Sequence, residues 1–335
     1  MTRSTASLTY VLPIRSAAPD DDLKDYLLWL TARARTIVVD GSAPAVFAAH
    51  RSAWAAAIDA GLQHVPPAPD LATEMGKVGG VLTGLRLADG TRMIIADEDV
   101  RYDEAALAAV LASLDSADVV RPQNYFAPLP WHACWDTGRI LLNRVSGGDW
   151  PGTLGVRTAV LRATGGYDGR AMFENLELVR TVIAAGGRES VRADIFVRRL
   201  PSSTGHFWSQ RVRQAYDEFA RPWRLGAQLA LLPAASIFAA RGRWQALMAG
   251  VAVVVMVAEC GRWRDGGRRV FPARASLFAP VWLAERAVCV WLAIGARLLF
   301  GGVRYRGRVL RHAATPLRVL RARHAGVRLP ASGES

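Results

Sequence analysis

The chain has 335 residues, of which 51% are hydrophobic, and carries a formal net charge of +13. That length holds one large domain, or one domain with an appendage. The three cysteines, Cys134, Cys260 and Cys289, form no C-x-x-C pair, which argues against a disulfide framework or a zinc site and fits a reducing compartment. The first residues lack a basic segment followed by an apolar core and a cleavage site, so we expect no signal peptide.

The positive charge is almost wholly arginine, because Lys24 and Lys77 are the only lysines in the sequence. The arginines crowd into residues 262–274 and 304–328, around the most apolar part of the chain. Such placement is typical of the cytoplasmic flanks of membrane segments. A nucleic-acid-binding protein would instead place its basic residues on one soluble face or in a recognised motif. We therefore expect a membrane partner and no nucleic-acid partner.

The first 120 residues alternate strand-like and helix-like segments. Apolar runs predict strands at residues 8–14, 36–39, 93–96 and 118–121, and helical spacing predicts helices at residues 22–34, 44–60, 76–87 and 104–114. Strands that alternate with helices pair in parallel within a doubly wound sheet. The sequence therefore predicts an α/β fold.

Residues 122–175 are less regular and rich in Pro, Trp and Gly. Their tryptophans, Trp131, Trp135 and Trp150, either line a binding cleft or pack as core aromatics beneath a long loop. The pattern then predicts a helix at residues 174–185, a strand near residues 190–197 and an arginine-rich helix near residues 207–219.

The C-terminal third is much more apolar. Residues 225–240 and 245–260 are continuous apolar runs, each slightly shorter than the roughly 20 residues that span a bilayer. A third run, residues 277–300, is interrupted by charges. If all three runs crossed, the basic segments before and after the third would lie on opposite sides of the membrane, against the positive-inside tendency. We predict two crossings and a third helix that lies in the interface; a soluble domain with unusually apolar helices is the alternative.

The apolar run at residues 93–96 ends abruptly in Asp97-Glu98-Asp99. Ligands of open α/β sheets bind beyond the carboxyl ends of the strands. Two carboxylates at that point suit a divalent cation that takes phosphate oxygens as further ligands. The plainer interpretation is an Asp-rich turn that leaves a strand, and so short a motif is only a hypothesis.

Several motifs in chain order resemble those of a family-2 glycosyltransferase, over about residues 8–220. They are YVLPIR at 10–15, VVDGS at 38–42, GKVGGVL at 76–82, DED at 97–99, GGYD at 165–168, FENLEL at 173–178 and QRVRQ at 210–214. Gly80 stands where the family's pattern has Ala, and Gln214 stands where it has Trp. The resemblance implies the GT-A nucleotide-sugar-binding fold, with a mixed, mostly parallel sheet followed by C-terminal transmembrane or interfacial helices.

The resemblance also implies a nucleotide-sugar site. The residues expected to bind the donor are Pro13, Arg15, Asp40, Lys77, Asp97, Gln210 and Arg213. Asp40 would read the uracil base, and Lys77 would bring a compact positive charge to the nucleotide. Asp97 and Asp99 would hold Mg²⁺ or Mn²⁺, with Asp97 shared between the metal and the ribose. Such a cation offsets the negative charge that the diphosphate gains as it leaves.

The sequence differs from the family's pattern at the residue expected to act as the general base. Asn175 stands where the family's Glu-Asp pair offers an Asp, and an amide cannot accept a proton. The remaining candidates for a catalytic carboxylate are Glu174, Asp168 and Glu177. Glu174 is closest in register, and Glu177 follows one turn later on the same helix side. We expect Glu174 to be the base.

Together these features predict an inverting, metal-dependent hexosyltransferase. It would move a sugar from a nucleotide sugar, most simply a UDP-sugar, to a lipid or lipid-linked hydroxyl, as the ceramide- and hopanoid-type branch does. The expected domains are a GT-A domain at residues 1–220, membrane helices at 221–300 and a basic cytoplasmic tail at 301–335. The protein would be multi-pass in the cell membrane, with its catalytic domain in the cytoplasm. A non-catalytic GT-A-fold scaffold that partners an active glycosyltransferase is the alternative, prompted by Asn175.

Overall fold

The computed structural model describes residues 8–305 and 308–330. Its strands are β1 (Leu8–Ile14), β2 (Arg35–Asp40), β3 (Gln63–Val65), β4 (Arg92–Ala96), β5 (Val100–Arg101), β6 (Val119–Phe126), β7 (Thr153–Arg157), β8 (Glu189–Arg199), β9 (Val303–Tyr305) and β10 (Arg308–Leu310). Its α-helices are α1 (Asp21–Thr31), α2 (Pro44–Ala53), α3 (Ala55–Asp59), α4 (Gly76–Leu87), α5 (Glu104–Ser113), α6 (Trp131–Val145), α7 (Thr158–Ala163), α8 (Glu174–Ala184), α9 (Thr204–Ser209), α10 (Arg211–Tyr216), α11 (Pro222–Ala240), α12 (Trp244–Trp263), α13 (Ala279–Phe300) and α14 (Leu317–Arg323). Turns of 3₁₀ helix lie at Pro69–Leu71, Asp217–Ala220, Arg264–Arg269 and Ala273–Phe278.

The first eight strands form one sheet, in the order β3-β2-β1-β4-β7-β6-β8-β5 within the described residues. β1 pairs in parallel with β2 and β4, and β2 pairs in parallel with β3. β7 runs antiparallel to both β4 and β6. The predicted α/β fold with a mixed, mostly parallel sheet is confirmed.

The parallel strands bring predicted site residues to one edge of the sheet. The register pairs Ile14 with Asp40, and β4 ends at Ala96, directly before Asp97. β1, β2 and β4 are buried along almost their whole length, as continuous apolar runs in a parallel sheet should be. The carboxyl ends of β1, β2 and β4 therefore lie side by side and carry Arg15, Asp40 and Asp97 at one edge of the sheet.

Helix α4 lies close to β1 because two of its positions that face the strand are glycine. A Cβ at Gly80 would lie 2.8 Å from the Cβ of Pro13, and a Cβ at Gly84 would lie 2.3 Å from Cγ1 of Val11. Close-packed interiors do not accept such additions without backbone shifts. The packing explains why position 80 is glycine, and it fixes the start of α4, which carries Lys77, against the sheet.

Contacts divide the chain into two compact units. The first unit holds residues 8–122, 151–190 and 315–330, and the second holds residues 123–150 and 191–314, apart from the undescribed residues 306 and 307. These units divide the chain differently from the predicted domains, which placed a boundary at residue 220 and a tail after residue 300. Residues 315–330 belong to the first unit, and the segment before them pairs β9 with β10 in an antiparallel hairpin.

The expectation of irregular structure over residues 122–175 is wrong. β6 extends to Phe126, α6 occupies Trp131–Val145, and β7 and α7 follow. Trp131 and Trp135 both lie on α6 and meet Phe207 edge to face, and Trp131 is 46% exposed. These tryptophans therefore lie on a helix in the second unit and not beneath a long loop.

Helix α6 packs closely on the apolar helices of the second unit. A Cβ at Gly138 would lie 2.7 Å from the backbone nitrogen of Ala279, and one at Gly261 would lie 2.0 Å from the carbonyl oxygen of Leu141. Buried Arg144 donates to the carbonyl oxygens of Gly261 (2.8 Å) and Arg264, at the carboxyl end of α12. An arginine in that position satisfies carbonyls that the helix leaves unpaired.

Among the described residues, three helical segments are long and apolar enough to cross a membrane by length and composition: Pro222–Ala240, Trp244–Arg269 and Ala273–Phe300. They contain the predicted runs at 225–240, 245–260 and 277–300. The first two are largely exposed, with large apolar side chains such as Phe238 and Met256 outside. Exposed apolar surface of that extent suits a lipid environment. The number of crossings stays a prediction.

Two predicted helices differ in detail. The helix predicted at residues 44–60 is broken into α2 and α3 at Trp54, whose indole is fully buried. The arginine-rich helix predicted near residues 207–219 is α9, α10 and a 3₁₀ turn, with a break at Gln210. Helical spacing identified both regions, but it does not reveal such breaks.

Candidate active site

The candidate site lies in the first unit, where three elements end or begin. Asp97 follows β4, and its backbone N–H donates to the carbonyl oxygen of Gly152 (2.8 Å). Lys77 lies in the first turn of α4, and Glu174 is the first residue of α8. Although 97 positions separate Lys77 from Glu174 in sequence, the fold places their side chains in contact.

Lys77 joins two of the predicted carboxylates. Its Nζ lies 2.5 Å from Oδ1 of Asp97 and 2.7 Å from Oε1 of Glu174. All three side chains are at most one-quarter exposed. Burial opposes the charge on Lys77, but Asp97 and Glu174 outweigh burial and hold the pKa of the ammonium well above its usual range. Lys77 therefore stays charged and holds the two carboxylates at one point.

The hydroxyl of Tyr167 belongs to the same electrostatic environment. Burial raises the pKa of Tyr167 above its usual value, with the charge of Lys77 opposing that shift and those of Glu174 and Asp97 adding to it. Tyr167 lies in the GGYD loop at residues 165–168 and is 8% exposed. A neutral phenol beside this ion cluster can donate a hydrogen bond to a polar ligand. The proximity of Tyr167 to Lys77 is not evident from the sequence.

The oxygens beyond β4 fit a hard divalent cation. Asp97 and Asp99 offer carboxylate oxygens from a partly exposed position at the strand end. Carboxylate oxygen is the donor that Mg²⁺ and Mn²⁺ prefer. The contact between Asp97 and Lys77 shows that this carboxylate already faces a positive charge. The role of Asp97 and Asp99 as metal ligands stays a prediction.

Asp168 is bound by arginines. Arg170 holds its carboxylate at 2.6 Å, and Arg323 lies 3.6 Å from it. The hydrogen bonds from Arg170 lower the pKa of Asp168 to about 2, against the opposing effect of burial. A carboxylate with so low a pKa is a weak proton acceptor near neutral pH.

Glu177 is fully buried and faces away from solvent. Its Oε2 accepts a hydrogen bond from the backbone N–H of Thr315 at 2.6 Å. The structure thus brings Glu174 to Lys77 and Asp97, whereas Asp168 and Glu177 are each held by other groups.

Asn175 has a structural partner that an aspartate could not use. Its side-chain Nδ2 donates to the carbonyl oxygen of Pro151 at 2.9 Å, just before β7. A carboxylate at this position would set two acceptors against each other, which is unfavourable in a partly buried place. The bond to Pro151 accounts for the amide at position 175.

Replacement of Asn175 by Asp should therefore lower stability and leave sugar-transfer activity no higher than in the parent. We expect a loss of about 1–2 kcal/mol in the free energy of unfolding, because a partly buried acceptor loses its donor. Thermal unfolding in detergent measures the change, with Asn175→Ala as the uncharged control and a smaller expected loss. A higher turnover in Asn175→Asp would show that position 175 faces the acceptor after all.

Asp40 is enclosed by two histidines that the sequence analysis did not single out. Its Oδ2 contacts Nδ1 of His50 at 2.6 Å and Nε2 of His64 at 3.0 Å, and its Oδ1 accepts from the backbone N–H of Ser42. Burial opposes ionisation, but the hydrogen bonds from His64, Ser42 and His50 hold the pKa of Asp40 well below its usual range.

The three side chains around Asp40 offer one oxygen and two nitrogen donors within 4.8 Å of one another. A site of that composition suits zinc better than Mg²⁺ or Mn²⁺, but the short contacts to Asp40 are those of hydrogen bonds. The Asp40 side chain is fully buried. Its contact with the uracil base of a donor stays a prediction. His64 lies in β3, which pairs with β2. Its proximity to Asp40 is therefore evident only once the pairing of these two strands is known.

The remaining predicted donor-binding residues lie in different places. Pro13 packs beneath Gly80, and Arg15 is exposed at the carboxyl end of β1. Gln210 and Arg213 belong to the second unit, where Nε of Arg213 donates to Oε1 of Gln210 at 2.5 Å. Their predicted role at the diphosphate stays a prediction.

Comparisons with known proteins address the fold. No protein-family model and no curated protein matches the sequence. Among solved structures, the mannosyltransferase PcManGT from Pyrobaculum calidifontis, in complex with GDP-Man and Mn²⁺, is similar with a TM-score of 0.60 and 19% identity, over 86% of this chain and 88% of that chain. Glucosyl-3-phosphoglycerate synthase from Mycobacterium tuberculosis, in complex with Mn²⁺, UDP and glucosyl-3-phosphoglycerate, gives 0.43 and 12%, over 61% and 75%. The first likeness, together with the sheet described above, shows that this chain has the GT-A glycosyltransferase fold.

Proposed function

We propose that this chain is a membrane-bound, metal-dependent, inverting glycosyltransferase. It moves a sugar from a nucleotide sugar, in the first instance a UDP-sugar, to a hydroxyl of a lipid or lipid-linked acceptor. The observation that carries the proposal is the contact of Lys77 with both Asp97 and Glu174. A cation, a metal-binding carboxylate and a second carboxylate are the groups that this transfer requires.

The leaving group needs positive charge. As the bond from the anomeric carbon to the diphosphate breaks, negative charge develops on the diphosphate oxygens. A divalent cation held by Asp97 and Asp99 supplies Lewis-acid stabilisation of that charge. Lys77, which the structure keeps protonated and beside Asp97, adds a compact ammonium.

The acceptor needs a base. In the proposed reaction Glu174 takes the proton of the acceptor hydroxyl while the hydroxyl oxygen bonds to the anomeric carbon from the face opposite the diphosphate. The products are an inverted glycoside, a nucleoside diphosphate and protonated Glu174. Glu174 is favoured because Lys77 links it to the predicted metal ligand Asp97, whereas Asp168 is paired with Arg170 and Glu177 is buried against Thr315.

The proposal of a lipid acceptor is supported by the apolar helices of the second unit. Three segments there are long and apolar enough to cross a membrane, and a protein anchored in this way meets lipid acceptors at the bilayer surface. The basic segments around the third favour a cytoplasmic site in a multi-pass protein of the cell membrane. The scaffold alternative was prompted by Asn175, and the bond from Asn175 to Pro151 gives that substitution a structural reason.

The test is the full-length protein in detergent, with Mn²⁺ or Mg²⁺ and a panel of UDP- and GDP-sugars, assayed for donor binding and for sugar release or transfer. GDP-sugars belong in the panel because the structure compared above contains GDP-Man.

Asp99→Ala should reduce metal-dependent turnover by about 100-fold or more, since the cation's charge stabilisation is worth several kcal/mol. The matched control is Glu98→Ala, the exposed middle residue of the same motif, which should retain parental turnover. Absence of donor binding and turnover with every sugar and metal, and no effect of Asp99→Ala, would overturn the proposed function.

A further inference from the structure

The chain returns to the first unit after the apolar helices, and its residues 315–330 pack there on α8. We call this segment the C-terminal clamp. Its helix, α14, packs against α8, and Leu320 is fully buried. α8 is also the helix that begins with Glu174, the proposed base. The sequence predicted only a basic tail in this region.

The clamp is joined to α8 through the two backbone polar groups of Thr315, its N–H and its carbonyl oxygen. The backbone N–H of Thr315 donates to Oε2 of Glu177 at 2.6 Å, and its carbonyl oxygen accepts from Nη1 of Arg180 at 3.2 Å. Glu177 and Arg180 lie one turn apart on α8. These two hydrogen bonds from the Thr315 backbone reach adjacent turns of α8. They restrain the rotation of α8 about its axis and its distance from the clamp.

Burial makes the bond to Glu177 important. Glu177 is 0% exposed and Thr315 is 4% exposed. The other oxygen of Glu177, Oε1, has no hydrogen-bond partner within the described residues. A buried carboxylate that loses its hydrogen bond is strongly destabilised and must be exposed or neutralised. Without the N–H of Thr315, Glu177 would either take up a proton or reach water through a shift of α8, and in both cases α8 would lose this restraint.

Two further contacts hold the clamp to the same side of the unit. Arg323 of α14 lies 3.6 Å from Asp168, in the loop just before α8. The carbonyl oxygen of Pro330 accepts from Arg157 of β7 at 3.4 Å. The clamp thus contacts α8, the loop that precedes α8 and a strand of the sheet.

We propose that the C-terminal clamp is a positioning element for sugar transfer. Through Glu177 it fixes α8, and so it keeps Glu174, one turn earlier, against Lys77. Thr315 and Glu177 are positioning residues and do not contact the reacting atoms. This inference rests on the proposed function for its kinetic consequence, but the structural restraint on α8 can be tested without any substrate.

The test compares two changes at position 315 in the full-length protein. Thr315→Pro removes the backbone N–H, and Thr315→Ala keeps it. Proline suits this place because Thr315 already precedes Pro316, which favours extended backbone. We expect Thr315→Pro to lower kcat by about tenfold or more, equivalent to 1.4 kcal/mol, with the donor KM within twofold of the parent. Thr315→Ala should match the parent.

Hydrogen exchange of the α8 amides gives an independent readout. We expect faster exchange across residues 177–184 in Thr315→Pro and parental exchange in Thr315→Ala, with α4 unchanged in both. Parental exchange and parental kcat in Thr315→Pro would overturn the clamp. Absence of transfer by the parent protein would count against the proposed function, whereas the exchange comparison would still decide whether Thr315 restrains α8.

Discussion

Glu174→Gln is expected to lose sugar transfer while it keeps donor binding. General-base catalysis contributes roughly 10²–10⁴-fold to such reactions, so we expect kcat to fall by at least about 100-fold. The amide is nearly isosteric with the carboxylate, and its oxygen can still accept from Nζ of Lys77, now at 2.7 Å from Glu174. The site therefore keeps its shape and loses its proton acceptor.

The measurement is steady-state transfer together with a donor titration in the presence of Mn²⁺. Glu104→Gln is the matched control, because Glu104 is an exposed glutamate paired with Arg33 on the surface. Parental transfer by Glu174→Gln would show that Glu174 is not the base. An active parent and an inactive Glu174→Gln would exclude the scaffold alternative.

Local patterns predicted the elements that carry the site. Residues 76–87 were predicted as a helix and form α4 with the same bounds, and the apolar run before Asp97 is β4. Both elements can be predicted because a buried parallel strand is a continuous apolar run, and a helix spaces its apolar residues three or four positions apart. The alternation of strands and helices gave the α/β class for the same reason.

Contacts distant in sequence were not predictable. The partners of Asp40 arrive on α2 and β3, and Thr315 meets Glu177 across 138 positions. Periodicity describes only which side of an element is buried, and it does not say what covers that side. The helix α6 was missed for a different reason: Pro130 precedes it, and Asp136, Thr137 and Gly138 in its second turn are residues typical of loops.

The same limit explains why the sequence left three candidates for the base. Glu174, Asp168 and Glu177 are all acidic and all near the start of one helix. Their difference lies in what each meets: Lys77, Arg170 and the Thr315 backbone, respectively. Only the fold supplies those partners, so the chemistry of each carboxylate follows from tertiary contacts and not from the motif.

Lys77→Met should have the largest effect on donor binding. Lys77 is the cation that both Asp97 and Glu174 contact. Its loss leaves two carboxylates near one point with their repulsion uncompensated, and a buried pair that loses one partner is strongly destabilised. The diphosphate also loses a positive charge. We expect kcat/KM to fall by about 100-fold or more, equivalent to roughly 2.7 kcal/mol of transition-state binding.

Lys24→Met provides the control, because Lys24 is the chain's other lysine and forms an exposed pair with Asp21. Exposed pairs of that kind contribute little, so Lys24→Met should behave as the parent. Lys77→Arg should recover only part of the activity, since a planar guanidinium cannot replace a compact ammonium between two carboxylates. Calorimetric donor titration with and without Mn²⁺, alongside steady-state transfer, separates binding from turnover. Parental kcat/KM in Lys77→Met would show that the contact of Lys77 with Asp97 and Glu174 is structural, and the charge of the donor diphosphate would then have to be offset by the metal ion alone.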